Sequence, residues 1–271
     1  MISIRQLKLL LRKADLATLP EGKLLINTIN AFSYNNARKD AVFEEALLKG
    51  DVLIPDGVSI VRACHMLDAV SKPWERIAGW DLFSFEMNKL NLSVSETWDD
   101  ADFYNWPYWK KRNPDREKPI VMFLGSSDDV LQKIHKRAAE VYPNLEVETY
   151  SPPYKRDFSL DDTLKMCDAV NVVDPDLLWI GMTAPKQEKW TYTNWDRLDI
   201  YCHVGTVGAV FDFFAGTKQR APFFWQIAGF EWLYRLLKEP RRMWRRYIIG
   251  NSEFIYLVLV ERLNMIRSKN K

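Results

Sequence analysis

The chain has 271 residues, 47% hydrophobic and 27% charged, an ordinary balance for a folded protein that can bury a sizeable core. A formal net charge of +2 gives the chain as a whole no polyanionic partner, so nucleic acid is not expected. Three scattered cysteines (Cys64, Cys167, Cys202) and three scattered histidines (His65, His135, His203) lack the spacing of a structural zinc site and suit a reducing compartment.

In chain order, "MISIRQLKLLLRKADL" reads as an amphipathic helix with basic residues throughout. It has neither a long apolar stretch nor a small-residue cleavage site, so it is not expected to be a signal peptide. Short apolar runs that end in glycine or a polar turn then alternate with helical periods. "KLLINTIN" (23–30) precedes "AVFEEALLKG", "DVLIPDG" (51–57) precedes "VSIVRACHML", and "PIVMFLGSS" (119–127) precedes "DDVLQKIHKRAAEVYP". "LLWIGMTAPKQE" (177–188) and "IYCHVGTVG" (200–208) repeat the arrangement. Such alternation predicts βαβ units and an α/β fold with a mostly parallel sheet. Ligands of these sheets bind beyond the carboxyl ends of the strands, where Asp56, Gly125, Gly181 and Gly205 are expected.

Residues 95–118, "SETWDDADFYNWPYWKKRNPDREK", interrupt the alternation with a polar, aromatic-dense insertion. It is either a loop packed down by its own aromatics (Trp98, Phe103, Tyr104, Trp106, Tyr108, Trp109) or a lid that stacks on sugars. After Gly216 the pattern changes again. Residues 217–271 read as two or three helices broken at Pro240, an appendage to a core of residues 1–216. From Arg235 onward there are ten basic residues (Arg235, Lys238, Arg241, Arg242, Arg245, Arg246, Arg262, Arg267, Lys269, Lys271) against Glu239, Glu253 and Glu261. Arg241 with Arg245, and Arg242 with Arg246, share helix faces at i, i+4. This tail is either a solvated basic helix pair or a surface for an anionic membrane. Its longest apolar run, "FIYLVLV" (254–260), is far short of the ~20 residues that span a bilayer.

Asp56, between Pro55 and Gly57, has two readings. Asp-Gly is common turn chemistry, yet the turn sits where a strand end presents a carboxylate to a crevice. "FLGSSDDV" (123–130) opens a helix whose N–H groups suit an anion, or simply caps it through Ser127 and Asp128. In "GMTAPKQEKW" (181–190), Lys186 opposes the helix dipole, which points to another partner for Lys186 or Gln187. Asp212, alone among Phe211, Phe213 and Phe214, either faces outward or bonds a hydroxyl or base edge. The Asp-x-Asp matches, Asp100–Asp102 and Asp174–Asp176, lie in a polar segment and a turn and read as incidental. With no metal ligands evident, the cations for a diphosphate leaving group would come from arginine.

Taken in series, "NTIN" (27–30), "IPDG" (54–57), "ERIAG" (75–79), "FLG" (123–125), "APKQE" (184–188), "VGAVFDFFAG" (207–216), "RAP" (220–222) and "EWLYRLLKEPRR" (231–242) resemble the WecG/TagA/CpsF family of bacterial glycosyltransferases over roughly residues 20–250. The resemblance implies a Rossmann-like core with a C-terminal helical appendage that reaches the cytoplasmic membrane surface. It also implies inverting, metal-independent transfer from a UDP-sugar to a polyprenyl-diphosphate-linked saccharide in cell-surface polysaccharide synthesis. By matched position, Asp56 corresponds to the proposed base, with Thr28 and Asn30 beside it. Arg76, Gly125, Lys186, Gln187, Gly205 and Asp212 correspond to the nucleotide-sugar side. Arg220, Arg235, Arg242 and Arg245 correspond to groups that meet acceptor or diphosphate. The chain departs from the family pattern at Ser126, at Thr183, in "SPPYKRDF" (151–158) and in the longer aromatic insertion.

The implied chemistry is one in-line displacement in which a base takes the acceptor hydroxyl proton as UDP leaves. An aspartate of ordinary pKa, ~3.9, is ionised at neutral pH and a weak base, which leaves stabilisation of the departing diphosphate as the larger contribution. No cofactor is expected beyond the UDP-sugar donor, and the expected location is cytoplasmic, peripheral on the inner face of the membrane. Two other classes remain open: a nucleotide-dependent oxidoreductase, against which the lack of G-x-G-x-x-G counts, and a non-catalytic membrane adaptor. A homo-oligomer is compatible with all of these.

Overall fold

The computed structural model describes residues 2–94, 100–227 and 229–269. Trp98 and the side chains of Asp100 and Asp102 lie outside what is described. The elements run β1 (Leu24–Ile29), α1 (Ala31–Ala37), α2 (Ala41–Leu48), β2 (Val52–Pro55), α3 (Val58–Met66), α4 (Gly79–Leu92), α5 (Tyr108–Arg112), β3 (Ile120–Gly125) and α6 (Asp128–Val141). They continue with β4 (Glu146–Tyr150), α7 (Leu160–Val173), β5 (Leu177–Gly181), α8 (Lys186–Thr193), β6 (His203–Thr206), α9 (Val210–Phe214), α10 (Phe223–Ile227), α11 (Glu231–Lys238) and α12 (Pro240–Trp244). A π-helical turn, Arg245–Ile249, then leads into α13 (Gly250–Lys269).

The six strands form one all-parallel sheet in the order β2-β1-β6-β5-β3-β4. Five of them are the apolar runs read from the sequence, and β3 and β5 are buried along nearly their whole length, as strands covered on both faces must be. The sixth, β4, escapes a sequence reading because it is an edge strand with mostly exposed side chains. The expected N-terminal helix is absent. Ile4–Gln6 and Lys13–Thr18 form 3₁₀ segments, and between them Leu10 N donates to Leu53 O at 3.1 Å. The cause is packing. Ile2, Ile4, Leu7 and Leu9 are all buried, a spacing that no single helix face carries.

By packing, the chain divides into two compact units: Met1–Ala17, Asn27–Ala78 and Gln219–Lys271 in the first, Thr18–Ile26 and Gly79–Lys218 in the second. The core of the first unit joins Ile4, Leu7, Tyr34, Phe43, Ile60 and Cys64 to Phe254 and Val258 of α13. The Tyr34 and Phe254 rings meet edge to face at 5.5 Å. Around them, Asn35 Nδ2 donates to Gly250 O at 2.8 Å, Arg262 Nη1 donates to Met66 O at 2.9 Å, and Ser3 Oγ donates to Glu261. The front half of α13 is therefore an integral part of this unit.

The second unit packs Trp179 of β5 against Phe83 of α4 at 5.2 Å and Phe123 of β3 against Phe211 of α9 at 5.2 Å. Within the insertion, Trp109 is buried and its Nε1 donates to Ser93 Oγ at 2.8 Å, while Phe103 lies 5.3 Å from Trp106. The described part of this segment is thus held down by its own aromatics. Asp174 pairs with Arg112 and Arg116, and Asp176 accepts from Arg116 and from Ile120 N. The second Asp-x-Asp match is spent in this ion network.

Candidate active site

In the first unit, three segments meet at the carboxyl ends of β1 and β2. Thr28, next to last in β1, is buried, and Asn30 follows the strand as the N-cap of α1, its Oδ1 accepting from Ser33 N at 3.1 Å. Asp56 leaves β2 half-buried, with its backbone N donating to Ile29 O at 2.9 Å. Gly57 caps α3, and a Cβ there would lie only 3.3 Å from Asn30 Cβ. Asp56, Thr28 and Asn30 thus share one corner, and the start of α3 directly after Asp56 favours a negative charge there. Ile77 N donates to Pro55 O at 3.0 Å, which ties the loop that bears Arg76 to the same strand end.

Arg76 does not face water. Its Nη2 donates to Glu231 Oε2 at 3.1 Å, Arg235 Nη2 donates to Glu231 Oε1 at 2.9 Å, and Arg220 Nη2 lies 4.0 Å from Oε2. Glu231, the first residue of α11, is buried and holds three guanidiniums together. Burial opposes its charge, but Arg235, Arg76 and Arg220 outweigh burial and hold its pKa below the usual carboxylate range. Arg235 is itself half-buried. Burial works against its charge too, and Tyr247, Glu231 and Asp56 together overcome burial and raise its pKa.

The tail arginines sort differently from their order in the sequence. Arg242 is exposed and donates to Glu239 Oε2 at 2.7 Å, and the exposed Arg245 lies over the Trp244 ring at 5.3 Å. Arg246, in the π-turn, is half-buried over the Phe32 ring at 4.5 Å. Burial lowers its pKa, while Tyr247 and Asp56 pull the other way. Glu231 and Phe32 were not singled out from the sequence, and Arg246 was named only among the basic residues of the tail, as the i, i+4 partner of Arg242. The available signal for Glu231 was its i, i+4 spacing from Arg235 inside "EWLYRL".

Apart from Arg76, the nucleotide-side residues belong to the second unit. Gly125 (φ 122°) and Gly181 are neighbours across β3 and β5, and a Cβ on Gly125 would sit 2.7 Å from Gly181 O. Gly205 is bare because the Trp179 ring occupies its side-chain space, where a Cβ would meet carbon at 2.2 Å. Gln187 is buried, its Oε1 accepting from Met182 N at 3.2 Å and its Nε2 donating to Glu188 at 2.8 Å. Lys186 turns away to lie 3.5 Å over Phe158, with Nζ donating to Lys155 O at 2.5 Å. This is the partner that its unfavourable place at a helix start called for. Asp212 is half-buried, pairs with Lys218, and accepts from Thr217 Oγ1 at 3.2 Å. Among the described residues, no group of three or more His, Cys, Asp or Glu side chains is placed to hold a metal ion.

The family model described as "Glycosyl transferase WecG/TagA/CpsF family" matches residues 4–93 and 107–268, and so leaves 94–106 of the aromatic insertion outside the match. A protein of Bacillus spizizenii named N-acetylglucosaminyldiphosphoundecaprenol N-acetyl-beta-D-mannosaminyltransferase is 28% identical over 213 residues, covering 78% of this chain and 70% of the relative. The Bacillus subtilis (strain 168) protein of the same name is 25% identical over 240 residues, covering 89% of this chain and 80% of the relative. A Staphylococcus aureus (strain MW2) protein, again of that name, is 25% identical over 233 residues, covering 86% and 79%.

Proposed function

Because the chain belongs to the WecG/TagA/CpsF family of glycosyltransferases, we propose that it transfers N-acetylmannosamine from a UDP-sugar to a polyprenyl-diphosphate-linked N-acetylglucosamine. The names of the relatives support the acceptor and the sugar, and the family resemblance supports the UDP donor. The transfer is a single displacement. The acceptor hydroxyl oxygen forms a bond to the anomeric carbon as the bond from that carbon to the UDP phosphate oxygen breaks. The hydroxyl proton passes to Asp56, and the electron pair leaves with UDP. A β-linked product from an α-linked nucleotide sugar requires this inversion.

One observation carries the reading. Glu231 gathers Arg76, Arg220 and Arg235, and Arg235 and Arg246 both feel the charge of Asp56, so four guanidiniums stand against two carboxylates and leave an excess of two positive charges. Such an excess suits a diphosphate, and guanidiniums bind phosphate oxygens in pairs. In this reading arginines meet the developing charge and no metal is required. Thr28 and Asn30 shape the acceptor corner. Gly125, Lys186, Gln187, Gly205 and Asp212 carry nucleotide-side roles on the strength of the family resemblance, with Gln187 and Gly205 acting through packing. Arg242 and Arg245, being exposed, are assigned to the lipid diphosphate or the membrane surface.

The same reading places the protein on the inner face of the cytoplasmic membrane. Ile255, Tyr256, Leu259, Leu263 and Ile266 of α13 are exposed, as are Arg241, Arg242 and Arg245. This apolar and basic mixture supports interfacial binding. Among the described residues, no helix is long and apolar enough to cross a membrane. The experiment is a UDP-release screen of UDP-sugars against a short-chain polyprenyl-diphosphate N-acetylglucosamine, with and without chelator. Release with UDP-N-acetylmannosamine, undiminished by chelator, is the expected result. Failure with every UDP-sugar would overturn the reading.

A further inference from the structure

The basic, apolar segment that starts the chain has no part in the chemistry above. Between its two 3₁₀ segments it runs beside residues 70–75, in the loop that leads from α3 to Arg76. Val70 N donates to Arg5 O at 3.0 Å, and Trp74 N donates to Leu11 O at 2.9 Å. Leu9 N donates to Ser71 Oγ at 3.1 Å, and Lys13 N donates to Glu75 Oε1 at 2.9 Å. His65 Nε2 adds a bond to Pro73 O at 2.8 Å. Five bonds along so short a stretch make it a braced ledge.

The ledge turns apolar side chains to water. Ala69 and Pro73 are buried, while Val70, Lys72 and Trp74 are exposed at every second residue. Val70 is 72% and Trp74 is 79% exposed, and Leu11, bonded to the backbone of Trp74, is exposed as well. An indole left in water keeps a large apolar area available for burial against a partner. The charges around it indicate which partner. Residues 5–13 and 70–75 carry Arg5, Lys8, Arg12, Lys13 and Lys72 against Glu75 alone. Asp15 and Asp68, which pair with Arg12 and Lys72, still leave an excess of two positive charges. An exposed aromatic ringed by basic side chains suits the headgroup level of an anionic bilayer. The ledge is also joined to α13, because Arg262 Nη1 donates to Met66 O at 2.9 Å, four residues before Val70.

We propose that residues 5–13 and 70–75 form a second membrane-docking surface, in which Trp74 and Val70 enter the headgroup region of an anionic bilayer and the basic side chains meet its lipid phosphates. The proposal rests on the glycosyltransferase reading, in which α13 makes the first contact with the membrane. One helix laid on a bilayer leaves the protein free to roll about the helix axis. A second contact on the same unit stops that roll. Arg76 follows Trp74 by two residues, and Ile77 N is bonded to Pro55 O next to Asp56. Docking of the ledge therefore holds the Asp56 corner toward the surface on which a lipid-linked acceptor is offered.

The test uses the full chain with Trp74→Ser and, as an exposed control in the second unit, Tyr154→Ser. Flotation is measured with vesicles of phosphatidylglycerol and phosphatidylcholine. Trp74→Ser is expected to weaken partition about tenfold at an unchanged thermal midpoint, and Tyr154→Ser to stay within about twofold of the wild type. A fluorescent thiol probe on Trp74→Cys reports the contact directly, since Cys64, Cys167 and Cys202 are buried. Lipids brominated on their acyl chains are expected to quench that probe and to leave a probe on Tyr154→Cys bright. Wild-type partition by Trp74→Ser, or a probe on Trp74→Cys that the brominated lipids do not quench, overturns the proposal. A probe shielded by self-association without lipid overturns it too, and assigns the ledge to a second copy of the chain. UDP release judges the glycosyltransferase reading separately. A chain that floats through Trp74 and fails with every UDP-sugar keeps the ledge and loses that reading.

Discussion

Glu231 accepts a hydrogen bond from Arg76 at 3.1 Å, across 155 residues of chain. Its other oxygen holds Arg235 at 2.9 Å, so one buried carboxylate fixes two guanidiniums from separate segments beside the Asp56 corner. Removing one charge from a buried network leaves the others unpaired. Glu231→Gln keeps the shape but sets Arg76, Arg220 and Arg235 against one another. It is expected to destabilise the protein by about 3 kcal/mol, read as a lower urea midpoint with an unchanged slope.

The same carboxylate predicts an acid-side effect. Its folded pKa is depressed by the three arginines against the effect of burial. The stability it contributes is therefore fully present above the unfolded value near ~4.3 and is lost as pH falls through the lower folded value. Urea midpoints taken from about pH 6 down to about pH 3 should fall more steeply in the wild type than in Glu231→Gln. Parallel curves would contradict the assignment.

In the second unit, His203 predicts the opposite slope. Its Nδ1 lies 3.0 Å from Glu86 Oε1 and its Nε2 lies 2.9 Å from Pro20 O, two acceptors that only an imidazolium can serve at once. Burial works against that charge, but Glu86 outweighs it and the folded pKa is raised. The contribution is fully present below the unfolded value near ~6.5 and is lost as pH rises through the raised one. Glu86→Gln should flatten the decline in urea midpoint on the alkaline side and move the His203 titration, followed by NMR, to lower pH.

Phe254→Ala tests whether the front of α13 is part of the first unit's core. Phe254 is 3% exposed and packs on Tyr34, and a buried Phe→Ala change costs about 3–5 kcal/mol. Leu263→Ala, on an exposed position of the same helix, should change stability by less than about 0.5 kcal/mol. Thermal midpoints compare the two directly. Equal effects would mean that α13 does not support the core.

Much of this was legible in the sequence, and the rest was hidden for physical reasons. Strands β1, β2, β3, β5 and β6 announce themselves as apolar runs because a parallel sheet covers both faces of each. Strand β4 does not, since its side chains are mostly in water. Asp56 was readable because it stands in a turn at the end of β2, whereas Arg76, in the loop between α3 and α4, was readable only through the family resemblance. Glu231 was visible only as a local partner of Arg235, because its bond to Arg76 is made by tertiary folding. Residues 217–271 read as one appended block. Phe254 and Val258 reach the core from within an apolar string in which Ile255 and Leu259 stay exposed, so no clean period separates the two faces. The π-turn Arg245–Ile249 leaves no mark in residue spacing.

The central claim is that Asp56 takes the acceptor proton within the arginine-lined corner. The most direct measurement is UDP release by Asp56→Asn with UDP-N-acetylmannosamine and a short-chain lipid-diphosphate N-acetylglucosamine, beside the wild type at equal thermal stability. The account predicts a loss in kcat of about 10² to 10⁴-fold with little change in donor KM. An Asp56→Asn protein that folds normally and turns over at the wild-type rate would contradict it.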